Sequence, residues 1–348
     1  MVNYPLKFEP IFKKVLWGGS GICRFKKLAV RESGIGESWE LSQVPGSVSV
    51  IANGELAGKS LAEVIEASPE TLMGKTVHAR FGNDFPLLVK FIDAEADLSI
   101  QVHPDDALAR ERHNSSGKTE MWYVIASKPR SKLVSGFSQQ IDAAEYERRI
   151  ANDTIEEVLQ YHKVTSGDVF FLPAGRVHAI GGGIFIAEIQ QSSNITYRLY
   201  DYNRKDAEGN RRELHTEQAR DAIDYTVYKD YKTTYQPLEN LVVPLVSCPY
   251  FTTNRIQLKA ENPGMETVVL NGRELQMSMT GTIEMERDYA ALDSFVIYVC
   301  MKGDGCIRYG DGLELPISQG ETVLLPAILK NTTLSTNTAL LLLETYIR

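Results

Sequence analysis

What most constrains the fold of this chain is its punctuation. Short apolar, β-branched and aromatic runs recur roughly 10–20 residues apart, each bounded by Gly, Pro, Asn or Asp. PLLVKFIDA, DLSIQVHP, EMWYVIAS, GDVFFLPAG, GIFIAEIQ and NITYRLYDY are followed by ETVVLNGREL, SFVIYVCMKG, ETVLLPA and TALLLLETYI. Runs this short and this frequent cannot be helices. They predict antiparallel sheets closed into a barrel or sandwich. Helical periodicity is confined to three places: SLAEVIEASPETLM, the longer amphipathic IDAAEYERRIANDTIEEVLQY, and Glu213 to Tyr228. A Pro-bearing stretch without a clear period, Lys232 to Leu245, marks a boundary.

Composition narrows the function. Lys and Arg number 37 against 45 Asp and Glu, a net charge of −8, which argues against nucleic acid or an anionic membrane as the main partner. An anionic small molecule remains open to a chain whose cations converge locally. The most apolar stretches, FPLLVKFI and ALLLLETYIR, fall well short of the roughly 18 residues a spanning helix needs. MVNYPLKFEPIFKKVLWGG has no apolar run followed by a small-residue cleavage site, which argues against a secretory leader. Cys23, Cys248, Cys300 and Cys306 form no CxxC pair and suit free thiols in a reducing cytoplasm.

One internal echo stands out. Gly167-Asp-Val-Phe-Phe-Leu-Pro173 returns as Gly320-Glu-Thr-Val-Leu-Leu-Pro326, with the same Gly-to-Pro spacing. At matching distances beyond stand His178 and Asn331. Two related β-barrels are expected, with a metal ligand at this position only in the first.

Four stretches carry the chemistry. In LSIQVHPDD, strand alternation puts Ser99, Gln101 and His103 on one face. GKTEMWYV brings Lys118 and Glu120 to the start of an apolar strand, where a carboxylate is costly unless paired with a cation. In GDVFFLPAGRVHAIGGG, His178 follows a Pro-Ala-Gly turn and precedes a triple glycine that lets backbone approach a bound group. In NITYRLYDYNR, Thr196, Arg198 and Tyr200 are expected on one face, with Arg198 either paired to Asp201 or Glu188 or meeting an anionic ligand.

Each stretch alone has an ordinary explanation: a solvent-facing strand half, a surface Lys/Glu pair, a loop histidine, a structural Arg–carboxylate pair. His78 and His162, beside or within helical segments, and His113, in a polar loop, are taken as surface residues. Together, Gln101, His103, Glu120 and His178 compose a nitrogen and oxygen donor set suited to zinc or a similar divalent ion. Such a set leaves the metal with net positive charge, as a Lewis acid needs.

These blocks also carry a resemblance. GDVFFLPAGRVH resembles the second cupin motif. The ordered set SIQVHPDD, GKTEMWYV, LPAGRVHAIGGG and EIQQSSNITYRLYDYNR resembles the type I mannose-6-phosphate isomerase (phosphomannose isomerase) family over about residues 1–230, in its short bacterial form. GESWELS (Gly36 to Ser42) is similar to a further stretch of that family. The resemblance implies a mainly β chain of two cupin-like (jelly-roll) barrels with a few added helices. Residues 1–235 would form the metal-binding catalytic domain with helical insertions, and 236–348 a second barrel without metal ligands. It implies a zinc-dependent aldose–ketose isomerase interconverting mannose 6-phosphate and fructose 6-phosphate through an enediol. One Zn2+ per chain, or another divalent metal, would be held by Gln101, His103, Glu120 and His178. Arg198 takes the family's catalytic arginine position, and Ser99 and Lys118 match residues that reach substrate oxygens.

In this scheme the metal and Arg198 stabilise the oxyanion, and Lys118, Arg198 and Arg204 neutralise the phosphate. Lys118, His103 and Glu188 are the candidates for the base. The expected partner is a small sugar phosphate, with no nucleic acid or membrane, for a cytoplasmic monomer or homodimer. The alternatives are an iron oxygenase built on the two-His-one-carboxylate set and a non-catalytic sugar-phosphate-binding cupin.

Overall fold

The computed structural model describes residues 2–29, 32–205, 209–261, 264–270, 273–279 and 281–348, with Gly264–Leu270 and Arg273–Met279 described by their backbone. Asn271 and Gly272, within the run ETVVLNGREL, lie outside the described residues. The chain is mainly β and divides into two compact units. The first unit comprises Pro10–Ser49 and Phe85–Thr234; the second comprises Met1–Glu9, Val50–Asp84 and Tyr235–Arg348. The division is therefore not the single cut at 235 that the sequence suggests. Leu6–Lys7 adds a strand to the second unit by pairing with Thr322–Leu325, Leu6 facing Leu324. Among the described residues no helix is long and apolar enough to cross a membrane.

In the first unit a seven-stranded sheet runs in the order Lys232–Thr233, Val169–Leu172, Glu120–Ser127, Ile184–Gln191, Leu87–Ala94, Ile11–Gly19, Ile35–Leu41. A five-stranded sheet runs Tyr197–Tyr200, Ile100–Val102, His178–Ala179, Lys132–Phe137, Leu159–Lys163. Trp122, Val124, Phe170, Ile92 and Ile186 from the first sheet meet Leu133 and Ile180 from the second in one buried cluster. Their burial is the main driving force for closing the two sheets on each other. The outer face of the five-stranded sheet is covered by helices Ala143–Ala151 and Thr216–Ala222 through Ile100, Val134, Tyr146, Val177, Ala219 and neighbours.

The helices are shorter and more numerous than periodicity suggests. The long segment starting at Ile141 is helical only over Ala143–Ala151, capped by Asp142, whose carboxylate accepts the Glu145 N–H. Asn152 returns its amide to the Arg148 carbonyl and Asp153 takes φ 55°, which ends the helix. A short 3-10 turn and the strand Leu159–Lys163 follow, so His162 lies on a strand. The third helix stops at Ala222 because the Asp224 N–H goes to the Gly175 carbonyl. Asp106–His113 is a helix that its weak apolar stripe conceals, capped by Asp105 on Leu108 N–H and closed by left-handed Asn114.

The second unit holds the nine-stranded sheet, with Val296–Tyr309 at its centre against Thr322–Leu325, Ala339–Tyr346 and Asn331–Thr336. Its core gathers Ile256, Val296, Tyr298, Val323, Leu325, Leu334 and Leu342. The helix Leu61–Ala67 begins with a full capping box between Ser60 and Glu63, and Pro69–Met73 and Lys75–Phe81 follow it.

Candidate metal centre

Sheet register assembles the site. In the five-stranded sheet, Arg198 faces Gln101 and Gln101 faces His178, so three polar side chains from three strands form one row on the same face. The Gly175 N–H bonds the His103 carbonyl, tying the Pro-Ala-Gly turn to the end of the Ile100–Val102 strand. The opposite sheet supplies Glu120, which faces Leu172 on one side and Gln190 on the other.

His103, Glu120 and His178 converge with one donor atom each, all within 4.8 Å of one another. Their exposures are 1%, 0% and 1%. His103 Nε2 lies 3.5 Å from Glu120 Oε2, and His178 Nε2 lies 3.4 Å from Glu120 Oε1. Both imidazoles are fixed from behind. His103 Nδ1 is 2.9 Å from the Ile195 carbonyl and His178 Nδ1 is 2.8 Å from the Arg176 carbonyl. A carbonyl only accepts, so Nδ1 carries the proton in each ring and the Nε2 lone pair is directed at the common point. Gln101 Nε2 stands 3.2 Å from His178 Nε2.

The electrostatics suit the same purpose. Burial, with Lys118 and His178 nearby, holds His103 well below its usual range, and burial lowers His178 to about 4, so both rings are neutral. Burial and the neighbouring Glu188 push the Glu120 carboxyl up to about 8. Lys118 Nζ approaches Glu120 Oε2 at 3.4 Å. Even so, His103 Nε2 and both Glu120 oxygens have no hydrogen-bond partner. Three orphaned polar atoms in a closed interior are expensive. Two imidazole lone pairs and a carboxylate are what a divalent cation would satisfy.

Below this point lies a row of charge. Glu188 faces Trp122 and Lys90 across the sheet; Lys90 Nζ is 3.4 Å from Glu188 and 3.8 Å from Glu37, and Trp122 Nε1 donates to Glu188 at 2.9 Å. Burial alone would discharge Lys90, but Glu37, Glu188 and Glu120 outweigh it and raise its pKa. Burial pushes the Glu188 carboxyl up, yet Lys90, Lys118 and the Trp122 N–H prevail and lower it. Lys90 and Glu37 escaped the sequence analysis. Their signal is a lysine and a glutamate inside strands that are otherwise buried throughout, VKFI and GESWEL.

Arg198 is half-buried, with Nε 3.3 Å from Ser99 Oγ and Nη1 donating to the Glu213 carbonyl at 2.8 Å. Neither carboxylate suggested for it is its partner: Asp201 is taken by Arg204 and Arg212, and Glu188 by Lys90 and Trp122. Burial and the charges of Arg212 and Arg204 lower the Arg198 pKa. Arg204 also donates to the Asp97 carbonyl, which commits most of its guanidinium. A bulge between Arg198 and Tyr200 places Tyr200 opposite Ile100, so the expected common face of Thr196, Arg198 and Tyr200 does not extend to Tyr200. His113 is exposed, as expected of a surface residue, but it ends the Asp106–His113 helix and its Nε2 lies 2.8 Å from the Tyr197 hydroxyl.

Comparison with known proteins accords with this geometry. Residues 6–132 match the family model of the type I phosphomannose isomerase catalytic domain. Mannose-6-phosphate isomerase ManA of Bacillus subtilis is 36% identical over 287 residues, covering 80% of this chain and 89% of its own. The mannose-6-phosphate isomerase of Streptococcus mutans is 38% identical over 263 residues, covering 73% of this chain and 79% of its own. The crystal structure of mannose 6-phosphate isomerase from Bacillus subtilis is similar with a TM-score of 0.81 at 29% identity, over 99% of each chain.

Proposed function

The chain belongs to the type I phosphomannose isomerase family, which interconverts mannose 6-phosphate and fructose 6-phosphate, and on that premise we propose that His103, Glu120, His178 and Gln101 hold one zinc ion for this reaction in a cytoplasmic enzyme. The observation that carries the assignment is the set of orphaned atoms on His103 and Glu120 beside His178 Nε2, whose one partner is the Gln101 amide. A half-turn of the Gln101 amide would bring its oxygen to where Nε2 now stands, making it the fourth ligand. When bound, the cation supplies Lewis-acid polarisation of the sugar's carbonyl oxygen.

The chain's own residues supply the rest. Arg198 shares the Gln101–His178 row and has its charge unspent on any carboxylate, so it stabilises the oxyanion that develops as the C2 proton leaves. Ser99, hydrogen-bonded to Arg198, fixes the direction of the guanidinium and presents its hydroxyl to the substrate. Of the three candidates for the base, His103 has one nitrogen committed to Ile195 and the other to the donor cluster, and Glu188 is held by Lys90 and Trp122. Lys118 Nζ is the remaining group, and it carries the proton between C2 and C1. Arg204 reaches a phosphate only by releasing Asp201, so Arg198 bears the main part of the anion's charge.

A coupled assay on mannose 6-phosphate, with and without chelator and alongside elemental analysis, tests the assignment. Turnover should follow zinc content and return when zinc is restored. Full activity in metal-free protein, or bound iron with activity only in oxygen, would overturn it. For the base, Lys118→Met should stop label wash-out from C2-deuterated mannose 6-phosphate while retaining the metal. Wash-out at the normal rate would move that role to Glu188.

A further inference from the structure

The GDVFFLP and GETVLLP repeat extends through the register of both units. Phe170 faces Trp122 in the first unit, and its counterpart Val323 faces Tyr298 in the second. Next to Trp122 lies Glu188, flanked beyond by Lys90; next to Tyr298 lies Glu344, flanked beyond by Asn254. The ligand positions can therefore be followed across. Glu120, facing Leu172, corresponds to Val296, facing Leu325. His178 facing Gln101 corresponds to Asn331 facing Asp288, and His103, two residues on, corresponds to Ala290.

In the second unit Val296 is packed in the core and Asn331 is exposed, so these positions do not converge on a donor cluster. Of these positions only Asp288 reaches a cavity of about 610 Å³ in the second unit, which Tyr289, Ala291 and Leu292 also line. Its size suits a small ligand. Three arginines line it: Arg80, Arg287 and Arg348. Arg287 spends Nε and Nη2 on Glu344, at 2.8 and 3.0 Å, leaving Nη1 uncommitted to that pair. Arg80 donates to the Pro249 carbonyl and Arg348 to the Tyr346 hydroxyl, and neither pairs with a carboxylate among the described residues. Of the two carboxylates of the wall, Asp293 is fully engaged and Asp288 partly so. Asp293 accepts from the backbone N–H groups of Lys75 and Thr76 and from the Thr76 hydroxyl, and Asp288 accepts the Ala290 N–H on one oxygen. Donors thus exceed free acceptors at the rim, over a floor of tyrosine, leucine and isoleucine.

We propose that this cavity binds a small organic phosphate, the phosphate against Arg80, Arg287 and Arg348 and the carbon body against Tyr289, Leu292 and Tyr346. Guanidinium forks suit a phosphate, and apolar walls strengthen the charge-assisted bonds. No histidine or cysteine lines the cavity, and the site holds its guest without metal and without turnover. It is separate from the isomerase centre and stands whether or not that centre works as assigned.

Sorbitol 6-phosphate, which has no carbonyl to isomerise, is the probe, titrated calorimetrically into the zinc-loaded full-length protein. The double variant R80S/R348S alters two exposed residues and should weaken one binding equivalent by about tenfold or more, with KM and kcat for mannose 6-phosphate unchanged. Leu292→Glu, which adds a like charge without removing an arginine, should abolish the same equivalent. Arg198→Ala should spare it. If R80S/R348S and Leu292→Glu, both melting as the parent does, bind the probe as the parent does, the cavity is not a phosphate site. A total loss of isomerase turnover with this equivalent intact would count against the zinc assignment alone.

Discussion

The two units place a carboxylate at the same point, and only the first adds a second one beside it. Glu344 in the second unit is fully buried and receives Arg287, Asn254 and the Tyr289 hydroxyl, so both of its oxygens are bonded. The first unit has Glu188 there, held by Lys90 and Trp122, and one strand pair further along adds Glu120, where the second unit has Val296. Glu120 has neither oxygen hydrogen-bonded. Each barrel can bury a charge if it closes the network around it. Only the first leaves the network open, and it does so where two imidazole lone pairs also point. An open carboxylate beside two imidazole lone pairs is thus what sets the proposed metal site apart from buried charge as such.

The sharpest way to break this comparison is to give the first unit the second unit's residue. Glu120→Val should abolish stoichiometric zinc binding and lower kcat/KM by more than about 100-fold, the upper end for residues that merely support a ligand. The metal-free variant should be no less stable than the metal-free parent, since replacing poorly compensated buried charge by packed apolar volume is neutral or stabilising by ~1–4 kcal/mol. Retention of one zinc equivalent, read by elemental analysis, would show that Glu120 is not a ligand.

Arg198→Ala asks whether the row Arg198, Gln101, His178 is one machine or two. Loss of an oxyanion donor should lower kcat by about 10²–10³, with metal content unchanged. If the metal is lost while the remaining zinc-loaded fraction turns over normally, Arg198 only supports the ligands.

How much of this is legible from the chain alone depends on range. Alternation in SIQVH and the Pro-Ala-Gly turn before His178 are local, and they put Gln101, His103 and His178 where the register then joins them. The helix Asp106–His113 is concealed because ALARERH buries little beyond Ala109. Ile141–Tyr161 is overread as helix because its amphipathic pattern runs past Asn152, while a left-handed Asp153 breaks the backbone. Lys90 reads as an ordinary strand residue until Glu188 and Glu37, distant in sequence, are brought beside it. The loss of Asp201 as a partner of Arg198 has the same origin: Arg212 claims it through a fold-back that no short pattern contains. The exchange of Met1–Glu9 and Val50–Asp84 into the second unit is likewise a matter of long-range pairing.

In the second unit, Glu344→Gln tests whether closure is structural. It leaves Arg287 without a countercharge, which should cost about 3 kcal/mol, the low end for breaking a buried pair, because Arg287 keeps some contact with water. Denaturant unfolding should register the loss while kcat per folded molecule stays the same. An unchanged midpoint would mean that the network is dispensable and that the two carboxylates differ less than their surroundings suggest.

The smallest effect should come from Arg176, which acts on the open site from behind. Its carbonyl accepts the His178 Nδ1 proton and so sets the tautomer of the proposed ligand. Its guanidinium is buried against the rings of Tyr228 and Tyr231, at 4.4 and 4.6 Å from their centres. Gly136 makes room there, since a Cβ on it would strike the Tyr231 ring, and the Tyr231 hydroxyl donates to the Phe137 carbonyl. Removing the side chain by Arg176→Ala leaves the carbonyl in the chain but frees the turn that aims it. Zinc affinity, measured against a chromophoric chelator, should fall by about tenfold, whereas kcat of the fully loaded enzyme should hold. Equal affinity would mean that the His178 carbonyl bond is kept by the sheet alone. A fall in kcat at full zinc loading would instead place the Tyr228 and Tyr231 strap closer to the chemistry than the ligand shell requires.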